Sequence, residues 1–323
     1  MPVAPTRDRD HRDLRDRPNA RPDSSNSYSN PPWTFKGRAL YQLSLVRVAD
    51  ARKYVPDSIP LVNVFGWTLG GFYLARYDDS PAGQFDELVA LAGLAWNFPT
   101  SCAWAARVYV NSDEARRHGL KVVGLPSRLA KFQRQSGSRN GMNSRNGTNG
   151  RNGRNDGNDS QTVVRDWWGD MNGSRSSSSG SSSVITITNA ERGRGTRVCG
   201  IDMSSTAVSK SSATTPAPLM PKIRMFLPSF SGATALCPEV LKYSLRLETK
   251  VRFLKPMRVI LDDVTTDPNS AEGHTAGGIE AFVGRDVLGG RPLVCMSFED
   301  MVMEVQKPEV VEGFVAGRPK MHR

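Results

Sequence analysis

The segment Gly119-Leu120-Lys121-Val122-Val123-Gly124-Leu125-Pro126-Ser127-Arg128-Leu129-Ala130 links a short helix to an extended stretch. Just upstream, Asn111-Ser112-Asp113 offers side-chain oxygens that can cap free N–H groups, which predicts a helix over 114–118. Gly119 is placed to end that helix, as a C′ glycine does. Beyond Pro126 the chain reads as extended, so positions 127, 129 and 131 share one face.

Outward from this segment, both flanks are dense in strand signals. Residues 39–48 alternate loosely, and 50–55 read as a short helix ended by Pro56. Residues 65–77 carry Phe65, Trp67, Leu69, Tyr73 and Tyr77 on one parity. Gly66, Gly70 and Gly71 interrupt that strand, and strand glycines mark sharp bends or close backbone approaches. A strongly curved barrel needs such bends. Residues 88–96 are apolar on both parities, which predicts burial on both faces. Residues 103–110 alternate, and the small side chains beside Arg107 leave room for either a ligand or a packed neighbour. Further strands are predicted at 184–188, 222–227, 241–259 and 292–305, with a turn at 228–232. The fold class that follows is α+β, mainly antiparallel β: a curved sheet or barrel with few short helices.

Low complexity separates these blocks. Residues 1–30 are polar and unperiodic and read as a disordered tail. One domain is expected over 31–311, interrupted by inserts at about 133–183, 203–220 and 265–290, with a loose tail over 312–323. The first insert holds Arg-Asn-Gly repeats and a serine run, a composition that cannot offset its ordering entropy. Trp167-Trp168 is a local exception placed to dock on the domain.

Of the 323 residues, 38% are hydrophobic, below the roughly 45–50% of ordinary globular domains. The inserts account for the deficit. The net charge of +11 lies partly in low-complexity sequence, and no basic stripe interleaved with aromatics is visible, so nucleic acid is not an expected partner. Cys102, Cys199, Cys237 and Cys295 form no C-x-x-C pair, and His11, His118, His274 and His322 are scattered. Neither a disulfide framework nor a metal site is predicted, and no cofactor is called for. The longest apolar run has nine residues, too short to span a bilayer. No apolar leader is visible, and the alternating Arg and Asp of 7–17 differ from an acid-poor transit peptide. By these features alone the chain is expected in the cytoplasm.

The quoted segment resembles the active-site stretch of the acetoacetate decarboxylase family, roughly G-R-E-x-x-G-x-P-K-K-x-A. Gly119, Gly124, Pro126 and Ala130 keep that spacing, but Ser127 and Arg128 stand where the family carries its lysine pair. Residues 80–88 resemble a second family element, G-x-[Y/F]-x-E, with Glu87 in the place of the pocket glutamate. The family chemistry needs a neutral lysine amine to form an imine, reached by lowering a pKa that is ordinarily ~10.4. Serine has no amine, and arginine stays protonated. The resemblance therefore implies the fold and the pocket but argues against acetoacetate decarboxylation. It implies a pocket built from Glu87, Arg107, Pro126, Ser127, Arg128 and Trp67, with Glu87 and Arg128 as catalytic candidates and a possible charge-assisted pair between them.

A closer resemblance is to a plant or algal branch of that superfamily that also lacks the lysine pair. It rests on 33–43, 65–72, 77–83, 99–107, 227–232 and 241–244. What it implies is a role in making neoxanthin, a xanthophyll carotenoid, from violaxanthin, as an accessory or ligand-binding factor. A carotenoid, other carotenoid enzymes and a second copy of the chain are then the expected partners, and the chloroplast becomes a possible compartment. The alternative is an enzyme in its own right. It would be an epoxide isomerase with Glu87 as base and Arg128 beside a developing alkoxide, or a keto-acid lyase using Lys131 or Lys121.

Overall fold

The computed structural model describes residues 30–98, 100–136, 183–191, 195–204, 221–262 and 282–311. The N-terminal tail, Trp167-Trp168, most of the three inserts and the C-terminal tail lie outside the described residues. In chain order the strands are β1 (Trp33–Arg47), β2 (Trp67–Asp79), β3 (Phe85–Asn97), β4 (Thr100–Val110), β5 (Ser127–Ser136) and β6 (Ser183–Asn189). They continue with β7 (Thr196–Asp202), β8 (Lys222–Gly232), β9 (Val240–Leu254), β10 (Arg258–Ile260), β11 (Arg291–Val305) and β12 (Glu309–Val310). The helices are short: α1 (Val48–Ala51) and α2 (Asp113–His118).

Seven strands close a barrel in the order β4-β3-β2-β1-β11-β9-β8. All neighbours are antiparallel except at the closure, where β8 meets β4 in parallel. From β4 a second run, β5-β6-β7-β10, continues over the outside. Alternation then sorts the side chains. Trp33, Phe35, Tyr77, Phe85, Val110 and Phe298 pack inside the barrel. Leu40, Phe72, Leu74, Leu88 and Tyr109 pack outside it against Ile185, Ile187, Cys199 and Ile201 of the second run. β3 is thus buried on both faces, as its two apolar parities predict. Each large side chain so buried contributes about 1.5–3 kcal/mol. Among the described residues, no helix is long and apolar enough to cross a membrane.

Four local expectations are corrected. Residues 228–232 are strand, not turn: the β8–β9 ladder runs from Lys222↔Lys250 to Gly232↔Val240. Pro228 is tolerated because β8 has β9 alone as its partner at that position, which makes it edge-like. The turn follows, where Gly232 and Ala233 both take positive φ. The stretch 241–259 is two strands, β9 and β10, in different parts of the sheet. They part at Pro256, which has no N–H for a ladder. Gly119 does not end α2. A π-helical turn, Gly119–Val123, continues it, and Gly124 at φ 70 takes the left-handed capping role. Finally, 282–290 packs on the domain rather than looping away, because Val283, Val287 and Leu288 bury themselves in the outer core.

One buried polar contact holds β1 to the β9–β10 connection. Gln42 is almost fully buried; its Oε1 accepts from Met257 N at 2.6 Å and its Nε2 donates to Met257 O at 3.1 Å. Both backbone groups would be orphaned in Gln42→Ala. That variant is expected to lose about 2–4 kcal/mol in urea unfolding, more than an exposed Gln→Ala change. A loss under about 1 kcal/mol would show that water replaces the pair.

Candidate functional site in the barrel

The barrel interior holds a cavity of about 240 Å³ with walls that are mostly apolar. Glu87 enters it from β3 because it shares parity with Phe85, Val89 and Leu91, which also face inward. The Tyr77 hydroxyl donates to Glu87 Oε2 at 2.8 Å. Tyr73, two residues before Ala75 on the same strand face, is hydrogen-bonded to Tyr77 in turn. From the facing strands, Tyr243 also lines the cavity, its side chain hydrogen-bonded to Ser229. His118, at the end of α2, adds an imidazole, which meets the Trp33 ring edge-on at 4.5 Å.

Burial governs the ionisation of this set. It pushes the Glu87 carboxyl up to about 7, although the Tyr77 hydrogen bond opposes the rise. Burial also raises Tyr73, Tyr77 and Tyr243, so all three stay neutral donors. It lowers His118 to about 4, so that imidazole is neutral near pH 7. Near neutrality the cavity therefore carries one half-ionised carboxyl among neutral hydroxyls. Such a group can hold or move a single proton.

No family model matches the chain. Protein NEOXANTHIN-DEFICIENT 1 of Oryza sativa subsp. japonica is 41% identical over 291 residues, covering 87% of this chain and 89% of that protein. The same-named protein of Arabidopsis thaliana is 40% identical over 292 residues, covering 89% and 96%. The chain belongs to the NEOXANTHIN-DEFICIENT 1 family. Solved structures similar to this family member include an acetoacetate decarboxylase, at TM-score 0.47 and 11% identity over 88% of this chain and 91% of that one. Another is an acetoacetate decarboxylase-like enzyme from Sphingomonas wittichii RW1, at TM-score 0.47 and 11% identity over 91% and 98%.

In this NEOXANTHIN-DEFICIENT 1 family member the sequence candidates divide. Glu87 and Ser127 line the cavity. Arg128 does not, and it makes no pair with Glu87. Its Nε lies 3.3 Å from Glu191 Oε2, and Arg116 donates to the other oxygen of that carboxylate at 2.8 Å. The cause is parity: Ser127 points in, so its neighbour points out. Arg107 is buried on the outer face of β4, where Tyr54 feels its charge. A bulge lets Val108 and Val110 take the inward positions. The Pro126 carbonyl accepts from Val108 N at 3.2 Å, a structural bond outside the cavity wall. Trp67 sits at the strand end under the Arg47 guanidinium, 5.1 Å from its ring centre. Lys121 and Lys131 are exposed and outside the cavity.

The motif glycine has a steric reason as well. A Cβ at Gly119 would press on Ser127 Oγ, so its bare backbone lets the π-turn close over the serine. Sequence reasoning missed Tyr243, Ser229 and His118. The parity of Tyr73 and Tyr77 was visible, but nothing in the sequence ties Tyr243 to Glu87, 156 positions apart. His118 reads as a helix end; it reaches the cavity from the face of α2 that Ala115, three residues earlier, also turns to the wall.

Proposed function

We propose that this protein serves neoxanthin formation by holding the oxygen-bearing end group of a xanthophyll inside the barrel. The observation that carries this reading is the Glu87–Tyr77 pair in an otherwise apolar cavity. Apolar walls suit the ring and its methyl groups, and a carboxyl with neutral hydroxyl donors suits an epoxide or hydroxyl oxygen. Size supports a part rather than the whole of such a ligand. Drug-sized pockets run roughly 300–1,000 Å³, above the 240 Å³ found here. The names of the relatives support the pathway.

A second reading, isomerisation in the cavity, is favoured by the Glu87 value near 7. Violaxanthin and neoxanthin are isomers, so no oxidant is needed. Glu87 would take one proton from the carbon next to the epoxide, and the C–H electrons would form a new C=C bond as the epoxide C–O bond opens. A tyrosine hydroxyl would protonate the oxygen, and Glu87 would return its proton to that tyrosine. Arg128 has no part in this scheme, since it is paired with Glu191 outside the cavity. Imine chemistry lacks its amine, since no lysine lines the wall among the described residues. The pathway also favours a plastid location over the cytoplasm.

Incubating purified protein with violaxanthin, followed by pigment chromatography and a binding titration, tests both readings. Neoxanthin formed without other protein establishes the isomerase. Saturable binding without conversion establishes the holder, and absence of both ends the two readings. In cells lacking the gene, the intact chain is expected to restore neoxanthin and Glu87→Gln to restore less than a tenth of it.

A further inference from the structure

The barrel closes unevenly. β8 and β4 share only two residue pairs, Ala103↔Ser229 and Trp104↔Phe230, while β8 pairs with β9 along its entire length. Pro228, next to that short closure, has no N–H with which to extend it. Outside the same seam lies a second hollow, a groove of about 310 Å³. Pro228 and Tyr243 belong to the walls of both the groove and the inner cavity. The groove's aromatic side is Phe98 and Phe226, which are 83% and 60% exposed. Exposed aromatics gathered at one groove mark a binding surface more often than scattered ones do. Asn97, Lys242, Gln306, Lys307 and Glu309 supply its polar side.

We infer that the parted β4–β8 seam is the entrance to the cavity and that the outer groove binds the long conjugated chain of the ligand whose ring sits inside. This rests on the cavity reading above. The inner cavity is too small for more than an end group, so a long ligand must leave the barrel somewhere. Elsewhere each pair of neighbouring barrel strands is joined by an extended ladder. Within the barrel wall, the seam is the place where a chain can pass without breaking one. Tyr243, hydrogen-bonded to Ser229 beside it, is the divider, and its hydroxyl serves the ring oxygen on the inner side. Phe98 and Phe226 then cover the apolar chain outside, removing it from water.

Two probes separate this from the cavity reading: violaxanthin, with ring and chain, and 5,6-epoxy-β-ionone, with the ring alone. Both are titrated by tryptophan fluorescence against the intact protein and a Phe98→Asp/Phe226→Asp double variant. Both side chains are exposed, and binding of the short probe itself reports that the variant is folded. The double variant is expected to bind violaxanthin at least tenfold more weakly and the short probe within twofold of the intact protein. Equal binding of violaxanthin by the two proteins would overturn the groove, as would equal weakening of both probes. Intact protein that takes the short probe but not violaxanthin would also overturn it while leaving the cavity reading standing. Binding of neither probe by the intact protein would overturn the cavity reading and this inference together.

Discussion

Glu87→Gln is expected to shift the stability difference between variant and parent by about 3 kcal/mol between pH 4 and pH 8, in the variant's favour at the higher pH. Burial lifts the carboxyl from 4.5 to about 7, so the folded protein holds more protons than the unfolded chain between those values. Stability of the parent therefore falls as pH rises through that window. Glutamine cannot ionise and avoids that loss. His118 acts in the opposite sense. Its pKa drops from 6.5 to about 4, so the unfolded chain binds more protons there and stability falls as pH falls. In the parent the two slopes oppose each other between about 4.5 and 6.5. The variant should thus lose stability toward acid more steeply than the parent. Urea unfolding at both pH values measures this, and a difference that does not change with pH would mean that Glu87 titrates as an exposed carboxylate.

Gly71→Ala is expected to cost more than about 3 kcal/mol and to remove most soluble protein. Gly71 has φ 124, a region that side chains rarely adopt, and a Cβ there would strike the backbone carbonyl of Gln42 on β1. Neither backbone can withdraw without parting the β1–β2 ladder, which sets the curvature of the barrel. Gly83→Ala is the control. Its φ is 75, but an added Cβ meets nothing within 4 Å, so a loss of only about 1 kcal/mol is expected. Similar melting temperatures for the two variants would show that the close approach at Gly71 carries no special cost.

Much of the fold was legible because strand alternation and strand glycines are local signals. The aromatic parity of Tyr73 and Tyr77, the doubly apolar β3 and the capping Ser112 all stand where the sequence puts them; Ser112 Oγ accepts from Ala115 N at 3.2 Å. Local patterns failed where a distant partner decides. Proline and serine at 228–232 look like a turn until β9 holds them extended, and Val283–Leu288 look like part of a loop until the outer core receives them. Of the six candidate pocket residues, two line the cavity. Glu87 and Ser127 come from recognisable segments, but the resemblance also placed Arg128, at the family's lysine-pair position, beside Glu87, and alternation turns that side chain to the other face of the sheet.

By itself the sequence determined that Ser127 and Arg128 stand where the family carries its lysine pair, whatever the fold does; that Lys121 and Lys131 lie outside the cavity was decided by the structure. It also determined the strand-rich architecture, because period-two patterning is written residue by residue. Only the tertiary structure decided what surrounds Glu87. Closing seven strands into a ring brings Tyr77, Tyr243 and His118 to one cavity from parts of the chain that share no local pattern. The removal of water there, a property of the closed barrel and not of any one residue, moves that carboxyl to a pKa of about 7.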